Sequence, residues 1–572
     1  MTLDVAIIGG EVIDGTGTTR RRADVGISDG HIVKIGELDE PASRTIDATG
    51  RVVTPGFIDV HTHYDAQVMW DGFLTPSPFH GVTTVLSGNC GFTLAPMSSS
   101  SAPYLQEMLA RVEGMALSSL HAGLNVRWET FGEYLEAIDG KVALNIGFLV
   151  GHSAVRTFVL GDDWRREATD QEVEEMARTV GDSLAAGALG LSSSWGETHS
   201  DAAGDPVPSR FASKAELLRL CTVLREHPGT WLEFIPRLNG PLPEEGARMM
   251  AEMSAAAGRP LNWNLLTVRP DMTDEIIESR LAASDIAEEI GGAVYALTMP
   301  IPVALRLNLE TGYLFDVLPT WRKVLALPRD HKLSELRKVD VRRVLVAEAE
   351  GSDRSWYDME RLAFDESNAA IYQDVRGRTV AEAARARGVD PFDLLFDVAV
   401  DDGLRTVFVV VPDGDDPESW QRRAALWQDS RTIIGGSDAG AHLDILNTFG
   451  FFTDFIGTSV RDRQLLTLEE AVRMVTGAVA DAFGLRGRGR LEVGYAADVV
   501  VFDPAEVAPL PVEVRTDFPA NGLRLYGEAK GIDAVLVNGV VVVEQGKLTG
   551  DRPGTVLRSG VDTETVAVAF PR

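Results

Sequence analysis

The sequence predicts an α/β protein: a (β/α)8 barrel carrying insertions, with a small β-sandwich assembled from both termini. Three observations support that expectation. Between residues 55 and 485, short apolar runs alternate with amphipathic helical stretches, the pattern of a parallel sheet with helical crossovers. Both ends carry β-branched runs punctuated by Gly, Asn and Asp, which suit short antiparallel strands. The 572 residues exceed what one hydrophobic core usually organises, yet about 430 of them fit a single barrel enlarged by insertions.

Residues 1–54 form the first part of the sandwich, with DVAIIGG, EVIDG, ADVGI, HIVKIGEL and RTIDATG as apolar runs between turn residues. The barrel is expected over 55–485. Its candidate strands are GFIDVHTH, GVTTVLSGN, VALNIGFLVGH, ALGLSSS, TWLEFIP, PLNWNLL, AVYALTM, TVFVVV and TIIGGSDAG, separated by helices such as DQEVEEMARTVGDSLAAG. The stretch 305–350 breaks this alternation and reads as an excursion between barrel strands. Thr467 and Glu470 form a capping box that opens a late helix. Residues 486–572 return to the β texture and complete the sandwich, with Asn538-Gly539 marking a tight hairpin. The final RSGVDTETVAVAFPR reads as a peripheral arm.

Charge and composition exclude several function classes. Against 85 Asp and Glu stand 54 Lys and Arg, a formal charge of −31 that repels a phosphate backbone, so no nucleic-acid partner is expected. With 45% hydrophobic and 24% charged residues, the chain has the makeup of a globular enzyme. The two cysteines, Cys90 and Cys221, build no disulfide framework, and a reducing, cytoplasmic setting follows as the expectation. No run reaches the roughly 18 apolar residues of a membrane span, and MTLDVAIIGG lacks the positive flank of a secretory signal. The glycines at 9, 10, 15 and 17 suit a hairpin and not the G-x-G-x-x-G that opens a dinucleotide-binding helix. The expected partner is a small-molecule substrate, with homo-oligomerisation left open.

The chemistry-bearing residues fall at strand ends. In PGFIDVHTHYDAQ, His61 and His63 are two apart on an extended segment, so both imidazoles project from one face and can share a divalent ion. Isolated histidines at this spacing are more often surface or core residues; the strand-end position favours a metal, because barrel active sites lie at the C-terminal ends of strands. Cys90 in LSGNCGF follows another strand end, where a metal would hold it as a thiolate. A free cysteine is otherwise a small buried hydrophobe, the reading kept for Cys221 inside LLRLCTVL. Asp438 in TIIGGSDAGAH follows a late strand, and a carboxylate there can serve as metal ligand and as general base toward an attacking water. A turn or helix-cap aspartate is the plainer alternative.

Taken together, PGFIDVHTHYDAQ, GVTTVLSGNCGF, VGHSAVR, GGSDAGAH and GYAADVVVFDP resemble the amidohydrolase superfamily in its N-acyl-D-amino-acid deacylase (D-aminoacylase) branch. The resemblance covers essentially the whole chain and implies a zinc-dependent hydrolase acting on the C–N amide bond of an N-acyl-amino-acid-like molecule. It implies His61 and His63 as metal ligands, Cys90 as the ligand that replaces the carboxylated lysine of other branches, and Asp438 as the catalytic base, which the residue reading also places among the ligands. The family's two further histidines would fall on GTWLEFIPR and RPLNWNLLT, which contain none. Glu233 or Phe234 and Asn262 or Asn264 stand there instead; asparagine is a poor zinc ligand, so one ion is expected.

Weaker candidates for substrate binding are Tyr64, His152, His199, Glu233, Arg269 and His442. His152 could equally form a structural pair with Arg156, and Arg269 or Arg237 could clamp a carboxylate. The loop from 195 to 210 departs from the Tyr- and Pro-rich loop of D-aminoacylases, which leaves the acyl amino acid open. Competing readings are a hydrolase of a cyclic amide, lactone or ester, and a non-catalytic scaffold on the same fold.

Overall fold

In a computed structural model, residues 2–568 are described, except 239, 313, 353 and 413 and the side chains of 355, 370 and 371. Parallel strands build the barrel: β1 (Phe57–Asp59), β2 (Val82–Ser87), β3 (Asn145–Phe148, continued by Val150–Gly151), β4 (Gly190–Ser194), β5 (Trp231–Ile235), β6 (Leu261–Leu266), β7 (Val294–Thr298) and β8 (Thr432–Ile434). Each pairs in parallel with the next. The ring closes just beyond β1 and β8, through a bridge from Thr62 to Ala439 and the bond from His63 N to Ala439 O (2.7 Å). Ile58, Leu86, Leu149, Trp231, Leu297 and Ile433, from strands all around the ring, share one buried cluster with Leu557. Facing strands can meet only inside, so these side chains fill the barrel as a packed core. The C-terminal segment expected as a peripheral arm, from residue 558 onward, is anchored at one buried point, Thr563, whose Oγ1 donates to Gly229 O (2.7 Å), while its other described residues are partly or fully exposed.

The run TVFVVV, expected in the barrel, lies elsewhere. Val407–Val410 pairs antiparallel with Leu305–Leu307 and Leu362–Glu366 in a separate small sheet. Helices packed on that sheet give the excursion between β7 and β8 its own core, built on Leu309, Phe315, Trp321, Leu345, Phe396 and Phe408. The excursion is therefore longer than 305–350; its strand resembles a barrel strand because both are buried β-branched runs. It is tied to the loops above the barrel: Arg111 pairs with Asp316, Arg322 donates to Gly204 O (3.2 Å) and Asn308 donates to Asp444 (2.8 Å).

Strands from both termini combine in shared sheets. Val52–Pro55 pairs with Val499–Phe502 in a seven-stranded sheet, and Leu3–Ile8 lies within a four-stranded sheet. Val5, Ile7, Val25, Ile27, Val53, Val499 and Leu536 pack between them. Asn538 (φ 46°) and Gly539 (φ 78°) both adopt the left-handed conformation that a tight hairpin between Ile532–Val537 and Val540–Glu544 requires. Thr467 caps the helix Leu468–Val475 by accepting from Glu470 N (3.2 Å), but the Glu470 carboxylate turns to Arg473 (2.6 Å), so the capping box is half formed. With Arg473 both partners are ionised, whereas a backbone N–H would offer the carboxylate a neutral donor. Among the described residues, no helix is long and apolar enough to cross a membrane.

His80, ahead of β2, joins the barrel to the C-terminal strands: its ring nitrogens contact Thr453 Oγ1 (2.8 Å) and Gly527 O (3.1 Å). Burial pushes its pKa down to about 4, whereas an unfolded histidine titrates near about 6.5. Below that pH the unfolded chain takes up a proton that the folded one refuses, so stability is retained above about 6.5 and lost as pH falls toward about 4. Urea denaturation across this window will show that loss, and it will be shallower in His80→Gln.

Candidate metal centre

The site is built where the ring closes. His61 and His63 follow β1 on a segment held by Thr62, whose N and Oγ1 both bond Leu86 O (3.0 and 2.9 Å). Their rings lie 5.3 Å apart, edge to face, and both are buried. After β2 the chain turns sharply through Gly88 (φ 79°), Cys90 (φ 58°) and Gly91 (φ 80°). A Cβ on Gly88 would lie 2.3 Å from Leu149 O, so only glycine fits there. Asn89 fastens the turn to the first strand by donating to Thr62 O and Leu86 O (3.1 and 3.0 Å). Cys90, strained into a left-handed conformation, is anchored by its own N–H on Glu233 Oε2 (2.8 Å). Asp438, also left-handed (φ 52°), donates its N–H to His61 O (3.1 Å).

These turns bring His61, His63 and Cys90 to one point, with Asp438 beside the two imidazoles. Cys90 Sγ lies 3.5 Å from His61 Nε2 and 3.8 Å from His63 Nε2. Asp438 Oδ1 lies 3.1 Å from His61 Nε2 and 3.9 Å from His63 Nε2. Two imidazoles, a thiol and a carboxylate are a donor set suited to zinc. Burial raises the Cys90 thiol well above its ordinary pKa, and the Glu233 and Asp438 carboxylates raise it further; a cation is the group that would hold it as thiolate. Burial also drives His63 well below its ordinary value, helped by His61, so it is the neutral, metal-binding form. For Asp438, burial acts upward, but the bond and charge of His61, with His442 and His63, prevail and hold it at about 2. The residues present therefore fit a divalent ion.

A cavity of about 160 Å³ opens beside the cluster, lined by His63, Cys90, Asp438, Glu113, His199 and His442, with Phe92, Val112, Thr198, Ile235 and Asn264 completing it. The Amidohydrolase family matches residues 44–543. The chain belongs to that family. It is 30% identical over 571 residues to a D-aminoacylase of Alcaligenes xylosoxydans xylosoxydans, covering 97% of each. A crystal structure of D-aminoacylase matches with a TM-score of 0.67 at 30% identity, over 97% of this chain and 100% of that one. N-acyl-D-glutamate deacylase from Bordetella bronchiseptica, complexed with zinc and a phosphonate mimic of the tetrahedral intermediate, matches with a TM-score of 0.66 at 28% identity, over 98% and 100%. Within the amidohydrolases the chain thus resembles the D-aminoacylase branch.

Of the weaker candidates, His199 and His442 line the cavity; His199 is oriented by Ser194 Oγ (2.6 Å) and packs on Phe92. Three others are corrected. Tyr64 is fully buried away from the cavity, its hydroxyl spent on Ser77 (2.6 Å). His152 bonds Ser193 and Glu216 (2.8 Å each), and Arg156 pairs with the same Glu216: a buried structural network in which every charge has a partner. Arg269 is about half exposed and pairs with Asp271 (3.1 Å). Arg237 lies over the Trp195 ring and is not among the lining residues. Glu233 lies beneath the site, holding Cys90; burial raises its carboxyl to about 7. On β5 it is Ile235, not Glu233 or Phe234, that reaches the cavity, and on β6 Asn264, 3.4 Å from His61 Nε2.

The residue that pattern reading missed is Glu113, buried with Oε1 3.2 Å from His63 Nδ1. It ends the helix Ala102–Val112. An acid at a helix C-terminus opposes the helix dipole, the one signal that marked it.

Substitution will separate these groups. Cys90→Ala and His61→Ala will each lower the metal retained after dialysis, whereas Arg269→Ala will leave metal content unchanged and stability within about 0.5 kcal/mol of wild type, as for surface changes generally.

Proposed function

We propose that this chain is a zinc-dependent hydrolase that cleaves the amide of a small N-acyl-amino-acid-like molecule, using one ion held by His61, His63, Cys90 and Asp438. The observation that carries the reading is the meeting of those four side chains beside a cavity at the barrel mouth. Family membership and the zinc in the Bordetella deacylase support it. A single ion follows from Ile235 and Asn264 standing where the barrel would supply further ligands, since neither side chain competes with imidazole for zinc.

Held by these residues, a zinc ion would supply Lewis acidity toward the scissile carbonyl and toward water. Asp438 is placed to accept the proton of the attacking water and return it to the departing amine, because its Oδ1 faces both imidazoles while its backbone is pinned to His61. Glu233 keeps Cys90 in its strained turn. His199, His442 and Phe92 bound the substrate, and the buried walls exclude bulk water. A reducing, cytoplasmic compartment preserves the Cys90 thiol for this role.

One observation favours a second reading. No Arg or Lys lines the cavity among the described residues, so no permanently charged cation there pairs with a substrate carboxylate; an uncharged cyclic amide, lactone or ester suits that lining better.

The purified enzyme will contain one equivalent of zinc, lose activity to a chelator and regain it with zinc. Asp438→Asn will lower kcat by about 10²–10⁴-fold, the usual worth of a positioned acid–base group. Comparing N-acyl-D-amino acids with their neutral esters and with cyclic amides decides between the two substrate classes. Zinc below about a tenth of an equivalent, against the near-stoichiometric occupancy of a specific site, would sink both.

A further inference from the structure

We propose that Glu113 is a positioning residue that sets the tautomer of His63, taking the ring Nδ1–H so that Nε2 is presented to the metal. The inference rests on the metal-centre reading above. Glu113 Oε1 stands 3.2 Å from Nδ1, without the alignment of a formed hydrogen bond, and neither buried atom has another hydrogen-bond partner among the described residues, so each is the other's available partner; Nε2 of the same ring faces Cys90 Sγ and Asp438 Oδ1. A neutral imidazole carries a single N–H. If that proton sat on Nε2 it would point into the donor cluster and block the lone pair that binds a cation. An ionised Glu113 at Nδ1 draws the proton to the far side of the ring; burial, with Asp438 and Asp65, pushes its carboxyl well above the usual carboxylate range, and a cation in the cluster is the group that would hold it ionised.

The carboxylate is delivered by a helix end that cannot drift. Glu113 N bonds Leu109 O (2.9 Å) and Glu113 O accepts from Leu443 N (3.3 Å), in the segment that follows Asp438. Gly114 (φ 64°) closes the helix so tightly that a Cβ there would lie 2.8 Å from Asp444 Oδ1. Arg111, two residues earlier, is tied to Asp316 and to Thr311 O (2.8 Å) of the excursion. A buried carboxylate at a helix C-terminus is costly on two counts, desolvation and the dipole. Orienting a metal-binding histidine gives it a physical use that helix stability does not.

The test compares Glu113→Leu, which keeps the volume and removes the acceptor, with Glu113→Gln, which keeps an acceptor oxygen. Zinc affinity is measured by chelator competition on stripped protein, the His63 tautomer by ¹⁵N-histidine NMR, and folding by melting of the metal-free forms. Glu113→Leu is expected to weaken zinc binding about 10–100-fold, with Glu113→Gln recovering most of it, and the wild-type spectrum to show His63 protonated at Nδ1. If Glu113→Leu does not fold, Glu113→Gln alone decides: a weaker bond must move the Nδ1–H signal, and an unmoved signal overturns the proposal. Wild-type affinity with an unchanged tautomer in Glu113→Leu overturns the inference alone. A wild-type protein that takes up no zinc overturns the metal reading, and this with it.

Discussion

Barrel closure is the constraint on which the rest of this structure depends. The chain beyond β1 must meet the chain beyond β8, and it does so through His63 N on Ala439 O and Asp438 N on His61 O. The backbone bonds that close the ring are thus made by residues of the same segments whose side chains gather in the candidate metal centre. Closure and assembly of the site are one event. The left-handed conformation of Asp438 follows from the same demand, since the chain must turn back at the rim while its carboxylate faces the imidazoles.

The surroundings of the cluster are held from below and from above. Below, Glu233 takes the Cys90 N–H, and the network of His152, Glu216 and Arg156 stiffens the neighbouring strands. Above, the excursion between β7 and β8 is bonded to the helix carrying Glu113, to the loop containing Gly204 and to Asp444. A cluster with buried charges tolerates little movement, because each lost partner leaves an unpaired group in a medium of low polarity. That demand accounts for so many fixed contacts around a cavity of only about 160 Å³.

Much of this was legible in the residues. HxH at the end of an apolar strand, GNCG after the next and GGSDAGAH after the last placed His61, His63, Cys90 and Asp438, because strand-end chemistry leaves a local pattern of spacing and glycine. TVFVVV misled because a buried β-branched run looks the same in a barrel and in the small sheet of the excursion. Tyr64, His152 and Arg269 misled because proximity in sequence to a motif says nothing of direction: one turns into the core, one joins a structural network, one reaches solvent. Glu113 was hidden because its partner is 50 residues away in sequence and its own segment is an ordinary helix.

By itself, the sequence determined the architecture and the donor residues that gather at the barrel mouth, since periodicity, turn chemistry and strand-end motifs are local properties. The tertiary structure alone decided which of the remaining polar residues reach the cavity, that Ile235 and Asn264 stand at its rim, and that a glutamate from the second crossover meets His63. Those facts depend on how separate strands and helices are rotated and stacked about one closed ring, and short-range patterns do not encode that arrangement.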